Sequence, residues 1–140
     1  MKLIQMSNNV LTAVVVGARI NLGVVDRKIN GDCNAFTNTD TTISINQSGY
    51  YEVNVTANVV PTAAGVYTIQ LYDGLTAIDT ALASVTAAAN DTYNLSFSKI
   101  IRVLPNCCGI TTNVPKVLSV VSGGVAANID TINISVKKVG

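Results

Sequence analysis

Apolar and polar residues alternate along most of this chain, and many of the apolar positions carry β-branched side chains. The clearest stretch is Tyr51-Glu52-Val53-Asn54-Val55-Thr56-Ala57-Asn58-Val59, with apolar residues at the odd positions and polar ones at the even positions. A period of two sends successive side chains to opposite faces of a strand. The odd positions are therefore predicted to face a core, and the even positions water or a partner. Tyr50 and Tyr51 must point to opposite faces, so at least one of them belongs in the core.

The same period marks Tyr67 to Leu71, which stops at the turn signal Asp73-Gly74. It recurs in Tyr93 to Phe97, which continues into the more apolar Ile100 to Leu104 before Pro105-Asn106. Val117 to Val121 and Ile132 to Val136 read as further strands, and Ile43 and Ile45 mark a short one. At the start, Val10 to Val16 and Ile20 to Val24 are predicted strands, with a turn at Asn30-Gly31-Asp32. The Ala-rich piece Ala77 to Ala89 is the one helix candidate. Thr80, Ser84, Val85 and Thr86 weaken its helix propensity and it has no apolar stripe, so it reads as a strand followed by a loop.

Roughly eight or more short strands with frequent turns predict an all-β fold, an antiparallel jelly-roll β-sandwich. No fixed repeat supports a parallel β-helix. In a jelly roll the first and last strands share a sheet, which would tie down the C-terminal strand.

Composition adds one fact to this picture. The 140 residues suit a single domain. Yet only 12% are charged, against about 25% in an average soluble domain. Such a deficit predicts that neighbouring subunits cover part of the outer surface. The net charge is +1, so nothing favours nucleic acid or an anionic membrane as partner. No apolar run approaches the roughly 20 residues that span a bilayer. Met1 to Ala18 makes a poor signal peptide, because Ser7-Asn8-Asn9 interrupts its apolar segment. Synthesis and folding in a cytoplasm are expected. Asn-x-Ser/Thr matches such as Asn46-Gln47-Ser48 then reflect composition rather than glycosylation.

Candidate chemistry is sparse. There is no histidine, which excludes Ser-His-Asp and Cys-His nucleophilic catalysis. Paired carboxylates would have to come from Asp26, Asp32, Asp40, Glu52, Asp73, Asp79, Asp91 and Asp130, most of them in turn contexts. No phosphate-binding loop or calcium loop is present. Cys33, Cys107 and Cys108 are too few for a zinc site without histidine, and are expected to be small apolar residues that folding does not require. No cofactor, metal or catalytic residue is therefore expected. Tyr72 and Tyr93 are the candidates for a sugar-stacking surface.

Ser48-Gly49-Tyr50-Tyr51-Glu52-Val53 resembles the Gly-x-Tyr strand start of jelly rolls related to the complement globular head and to tumour necrosis factor. A likeness to small virion proteins of tailed bacteriophages extends further. It takes in Val14-Val15-Val16-Gly17-Ala18-Arg19-Ile20-Asn21-Leu22-Gly23, Cys33, Asn94-Leu95-Ser96-Phe97, Cys107-Cys108-Gly109 and Ile134-Ser135-Val136-Lys137-Lys138. The resemblance implies a homotrimeric, non-enzymatic head-decoration or head-fibre protein on a virion surface, with the capsid or another virion protein as partner. A receptor- or carbohydrate-binding fibre tip is the alternative. The chain lacks the Gly-x-y repeat of collagen-bearing relatives and the acidic calcium cluster of some complement-type relatives, so no metal site is carried over.

Residues 1–9 are expected to form an N-terminal attachment segment ahead of a jelly-roll domain at 10–140. Leu3, Ile4 and Met6 would supply its apolar contacts to the capsid. The competing expectation is that Leu3 and Ile4 extend a strand on the domain's own sheet.

Overall fold

The computed structural model describes residues 1–31, 34–104 and 115–140. Cys33, Cys107, Cys108, Asp32 and the Pro105-Asn106 break lie outside the described residues. The strands are β1 (Leu3–Asn8), β2 (Thr12–Val14), β3 (Val24–Ile29), β4 (Phe36–Asn38), β5 (Ile43–Ile45) and β6 (Gly49–Pro61). They continue with β7 (Gly65–Asp73), β8 (Thr76–Ala87), β9 (Tyr93–Val103), β10 (Lys116–Gly123) and β11 (Ala127–Lys138). A six-stranded sheet has the order β3-β1-β11-β6-β9, with β2 also paired to β11, and a five-stranded sheet has the order β4-β5-β10-β7-β8. The pairings are antiparallel. This is the expected jelly-roll sandwich, and its first and last strands do pair, Leu3 to Asn8 against Lys137 to Ile132.

The core lies between the sheets and follows the period-two reading. Tyr51, Val53, Val55, Ala57 and Val59 of β6 are buried, as are Tyr67, Ile69 and Leu71 of β7. Tyr51 is fully buried and Tyr50 is 47% exposed, the expected division of that pair. Phe36 on the opposite sheet meets Tyr51 edge-on, with ring centroids 5.9 Å apart at 80°. The Tyr51 hydroxyl donates back to the Gln47 carbonyl at 2.9 Å and so ties the entry to β6. Gly49, just before it, has φ +143, and an added Cβ would lie 2.7 Å from the Gly140 carbonyl oxygen. The Gly-Tyr-Tyr start is thus a steric and hydrogen-bonding requirement of the strand entry.

The N-terminal region departs from expectation. Ile4 and Met6 are fully buried in the core, and β1 lies inside the six-stranded sheet between β3 and β11. Residues 3–8 of this segment are therefore a strand of the sandwich, as the competing expectation for Leu3 and Ile4 had it. Ile4 and Met6 are core side chains, and of the three assigned residues only Leu3 keeps partial exposure. The polar Ser7-Asn8-Asn9 ends β1 instead of preceding the first strand. The Asn8 side chain accepts from Val10 N–H at 2.9 Å, and the Thr12 hydroxyl donates to the Val10 carbonyl at 2.8 Å. Those two bonds turn the chain where an unbroken strand from Val10 to Val16 was expected. Only Thr12–Val14 is strand, and Val10, Leu11, Val15 and Val16 are 55–68% exposed. Ile20 and Leu22 are buried as their alternation predicts, but Asn21 caps a turn through Gly23 N–H at 2.8 Å and the strand begins only at Val24.

The register of β6 is tested by two substitutions. Val53→Asp places an unpaired carboxylate in the core at a cost of several kcal/mol, and the protein should fail to fold. Asn54→Asp removes a 2.8 Å bond from Asn54 to the Glu52 carboxylate and adds a like charge on the open face; it should cost about 1 kcal/mol and leave a folded protein. Soluble yield and thermal melting of the two variants read the difference.

Burial also raises the phenol pKa of Tyr67 and of Tyr51 above the ordinary value of 10.0, Tyr67 against a partial offset from the Ser122 hydroxyl that donates to it at 2.7 Å. A raised pKa leaves stability intact below the unfolded value and removes it as pH climbs through the folded value. Melting temperature should accordingly fall above about pH 10. Tyr67→Phe should flatten that fall, at a fixed cost of about 1 kcal/mol for the orphaned Ser122 hydroxyl. An unchanged alkaline slope in Tyr67→Phe would contradict the assignment.

Candidate functional site

Two outer faces remain once the core is formed, and they differ in chemistry. On the six-stranded sheet the outward side chains line up in cross-strand rows. One row runs Ser7, Asn133, Thr56, Ser96, and the next runs Gln5, Ser135, Asn54, Ser98. A third pairs Thr131, Asn58 and Asn94, joined by bonds of 3.0 Å and 2.8 Å. These residues are uncharged amides and hydroxyls. Charge returns at the margins, where Arg27 sits opposite Gln5 and Lys137 opposite Glu52. The low charged content of the chain is thus expressed as a flat neutral field across β1, β11, β6 and β9.

The strand alternation made the polar half of each strand visible in the sequence. It did not show that Asn94 and Ser96 would stand beside Asn58 and Thr56, and those beside Thr131 and Asn133. That alignment depends on strand order, to which a local period carries no information.

On the five-stranded sheet, the outward sides of β7 and β10 frame an open depression of about 240 Å³ lined by Thr68, Gln70, Tyr72, Val121, Gly123 and Gly124. Tyr72 is half-buried at one wall. Tyr93 is elsewhere: it lies on β9 in the other sheet, packs partly against the core, and its hydroxyl accepts from Ala88 N–H at 2.8 Å. The two candidate tyrosines do not form one stacking surface.

The acidic residues are dispersed over both sheets and their loops. Asp73 pairs with Lys116 at 3.2 Å, Glu52 accepts from Asn54, Asp26 lies on the edge strand β3, and Asp130 sits where the β11 register shifts. Among the described residues no cluster of three or more His, Cys, Asp or Glu could hold a metal ion. Among the described residues no helix is long and apolar enough to cross a membrane.

No protein-family model and no curated protein sequence matches the chain. Solved structures do match it over nearly its whole length. It is similar to the globular domain of the zebrafish complement 1qA protein, with a TM-score of 0.68, 6% identity, and coverage of 100% of this chain and 98% of that one. It is similar to the Eiger TNF of S. frugiperda at 0.71, with 10% identity and coverage of 100% and 94%. It is also similar to the PRD1 vertex protein P5 at 0.57, with 16% identity and coverage of 99% and 97%. The fold is therefore a complement head/tumour necrosis factor-like jelly roll.

Proposed function

We propose that this chain is a non-enzymatic structural protein of a phage virion, a homotrimer that decorates the capsid surface or forms a head fibre. The observation that carries the reading is the neutral outer face of the six-stranded sheet. A surface destined for water alone would carry more charge. Depletion of charge marks the centre of protein–protein contacts, and polar groups there are satisfied by bonds across the interface and by trapped water. The rows through Asn133, Thr56 and Ser96 and through Ser135, Asn54 and Ser98 suit the contact with a second and third copy. The likeness in fold to a phage vertex protein supports a virion setting. The absence of histidine and the dispersed carboxylates support a role without catalysis.

Light scattering of the purified protein should give three times the 14.6 kDa chain mass. Thr56→Arg puts a charge at the centre of the neutral face and should yield folded monomers. The site is exposed, so the change in chain stability itself should stay within about 0.5 kcal/mol. A native chain that remains monomeric at micromolar concentration would remove the trimer, and a Thr56→Arg trimer would remove this face as its contact.

Location is tested separately. Purified virions labelled with antibody against this chain and imaged should show label on the head. Label confined to the tail tip would favour the receptor-binding reading instead. Label nowhere on the particle would end the virion proposal.

A further inference from the structure

We propose that the depression on the five-stranded sheet is a binding site for a single neutral sugar ring. It lies over two consecutive outward rows of the β7–β10 pair, Val121 with Gln70 and Gly123 with Thr68, with Tyr72 at one wall. The hollow opens because β10 stops presenting side chains at Gly123 and Gly124. Those two glycines have different causes. Gly124 has φ +89, and an added Cβ would collide with the Val66 carbonyl oxygen, so the backbone demands glycine there. Gly123 has no such excuse. The nearest atom to an added Cβ is the Thr68 carbonyl oxygen at 3.9 Å, an ordinary contact. Glycine weakens a strand and often marks a place where a ligand approaches the backbone. At Gly123 it keeps the floor of the hollow bare.

The lining has the mix of groups that a pyranose would use. Tyr72 offers an aromatic surface for the C–H face of a ring. Gln70 offers an amide whose orientation is fixed by a 3.3 Å bond from its Nε2 to the Ile78 carbonyl, which leaves its oxygen and one N–H for a ligand. The Thr68 hydroxyl shares a 2.9 Å bond with Ser84 and keeps hydrogen-bonding capacity to spare. Among the described residues none that lines the hollow is charged, although the exposed Arg19 bridges to Val121 at its border; the lining itself favours a neutral ring. The volume is below the roughly 300 Å³ at which drug-sized pockets begin, so one ring is the fitting unit. This site lies on the sheet opposite the neutral face, and its test does not depend on trimer formation or on a virion.

Amide chemical shifts of isotope-labelled protein, titrated with the methyl glycosides of glucose, galactose, mannose and N-acetylglucosamine, test it. At least one should produce saturable shifts at Thr68, Gln70, Tyr72, Gly123 and Gly124, with a dissociation constant on the order of 1–10 mM. Tyr72→Ala should weaken binding about tenfold. Gly123→Val should abolish it by filling the hollow while leaving the melting temperature unchanged or raised. No saturable shift with any of the four, shifts that map to another surface, binding that survives Gly123→Val, or binding of glucuronate alone would each overturn the assignment.

Discussion

The pairing of β11 with β6 is the contact on which the rest of this molecule depends. It joins Ala127–Lys138 to Tyr51–Pro61 along almost their full length, with β1 and β2 on the far side of β11 and β9 on the far side of β6. Val136 meets Val53, Ile134 meets Val55, and Ile132 meets Ala57, all facing inward. Their neighbours Ser135 and Asn54, and Asn133 and Thr56, face outward in the same register. One register thus makes both the core and the neutral field. A slip of one residue would exchange them, burying amides and exposing valines, so burial fixes the alignment of the outer face.

That constraint accounts for an irregularity in β11. Inward residues fall at Ala127 and Ile129, then at Ile132, Ile134 and Val136, a change from odd to even. The register shift between Ile129 and Thr131 absorbs the extra residue and leaves Asp130 exposed. A bulge is what permits both halves of the strand to face the same core. It also explains why alternation in the sequence marks only Ile132 to Val136: across the bulge the period breaks, although the strand does not.

Legibility followed the length of the alternation. β6, β7, β9 and the second half of β11 are long enough for period two to announce both strand and buried face, and the jelly roll follows from their number. β1 was legible only as the competing expectation for Leu3 and Ile4, because Leu3–Asn8 has only Ile4 and Met6 to mark its inner face, and a short apolar piece at a terminus reads equally well as a contact segment. Val10 to Val16 misled in the other direction. Its composition is that of a strand, but side-chain bonds from Asn8 and Thr12 to the backbone at Val10 turn the chain locally. The depression was legible only as a single tyrosine, since Thr68, Gln70, Tyr72 and the Gly123-Gly124 pair come together through the β7–β10 register, which no local pattern encodes.

The edges of the sandwich bear on how copies of it can meet. An open strand edge invites further strands and hence open-ended assembly. At one end of the six-stranded sheet, β3 carries Asp26, Arg27 and Lys28 in succession, all exposed, and its pairing with β1 shifts register at Gln5/Met6. Charge and a bulge together are how natural sheets refuse added strands. At the other end, β9 lies against β8 of the facing sheet, where Lys99 donates to the Thr80 hydroxyl at 2.7 Å, and just past β8 the Ala88 N–H donates to the Tyr93 hydroxyl at 2.8 Å. β8 itself breaks register opposite Gln70–Tyr72, with Thr80 at φ 62. With both edges of the six-stranded sheet blunted, the continuous surface that this sheet leaves for self-contact is its outer face. Contacts through a face form a finite ring where the rotation between copies closes, whereas contacts through an open edge extend a sheet without limit. In the proposed trimer the neutral field would carry the association and the guarded edges of the same sheet would keep it finite.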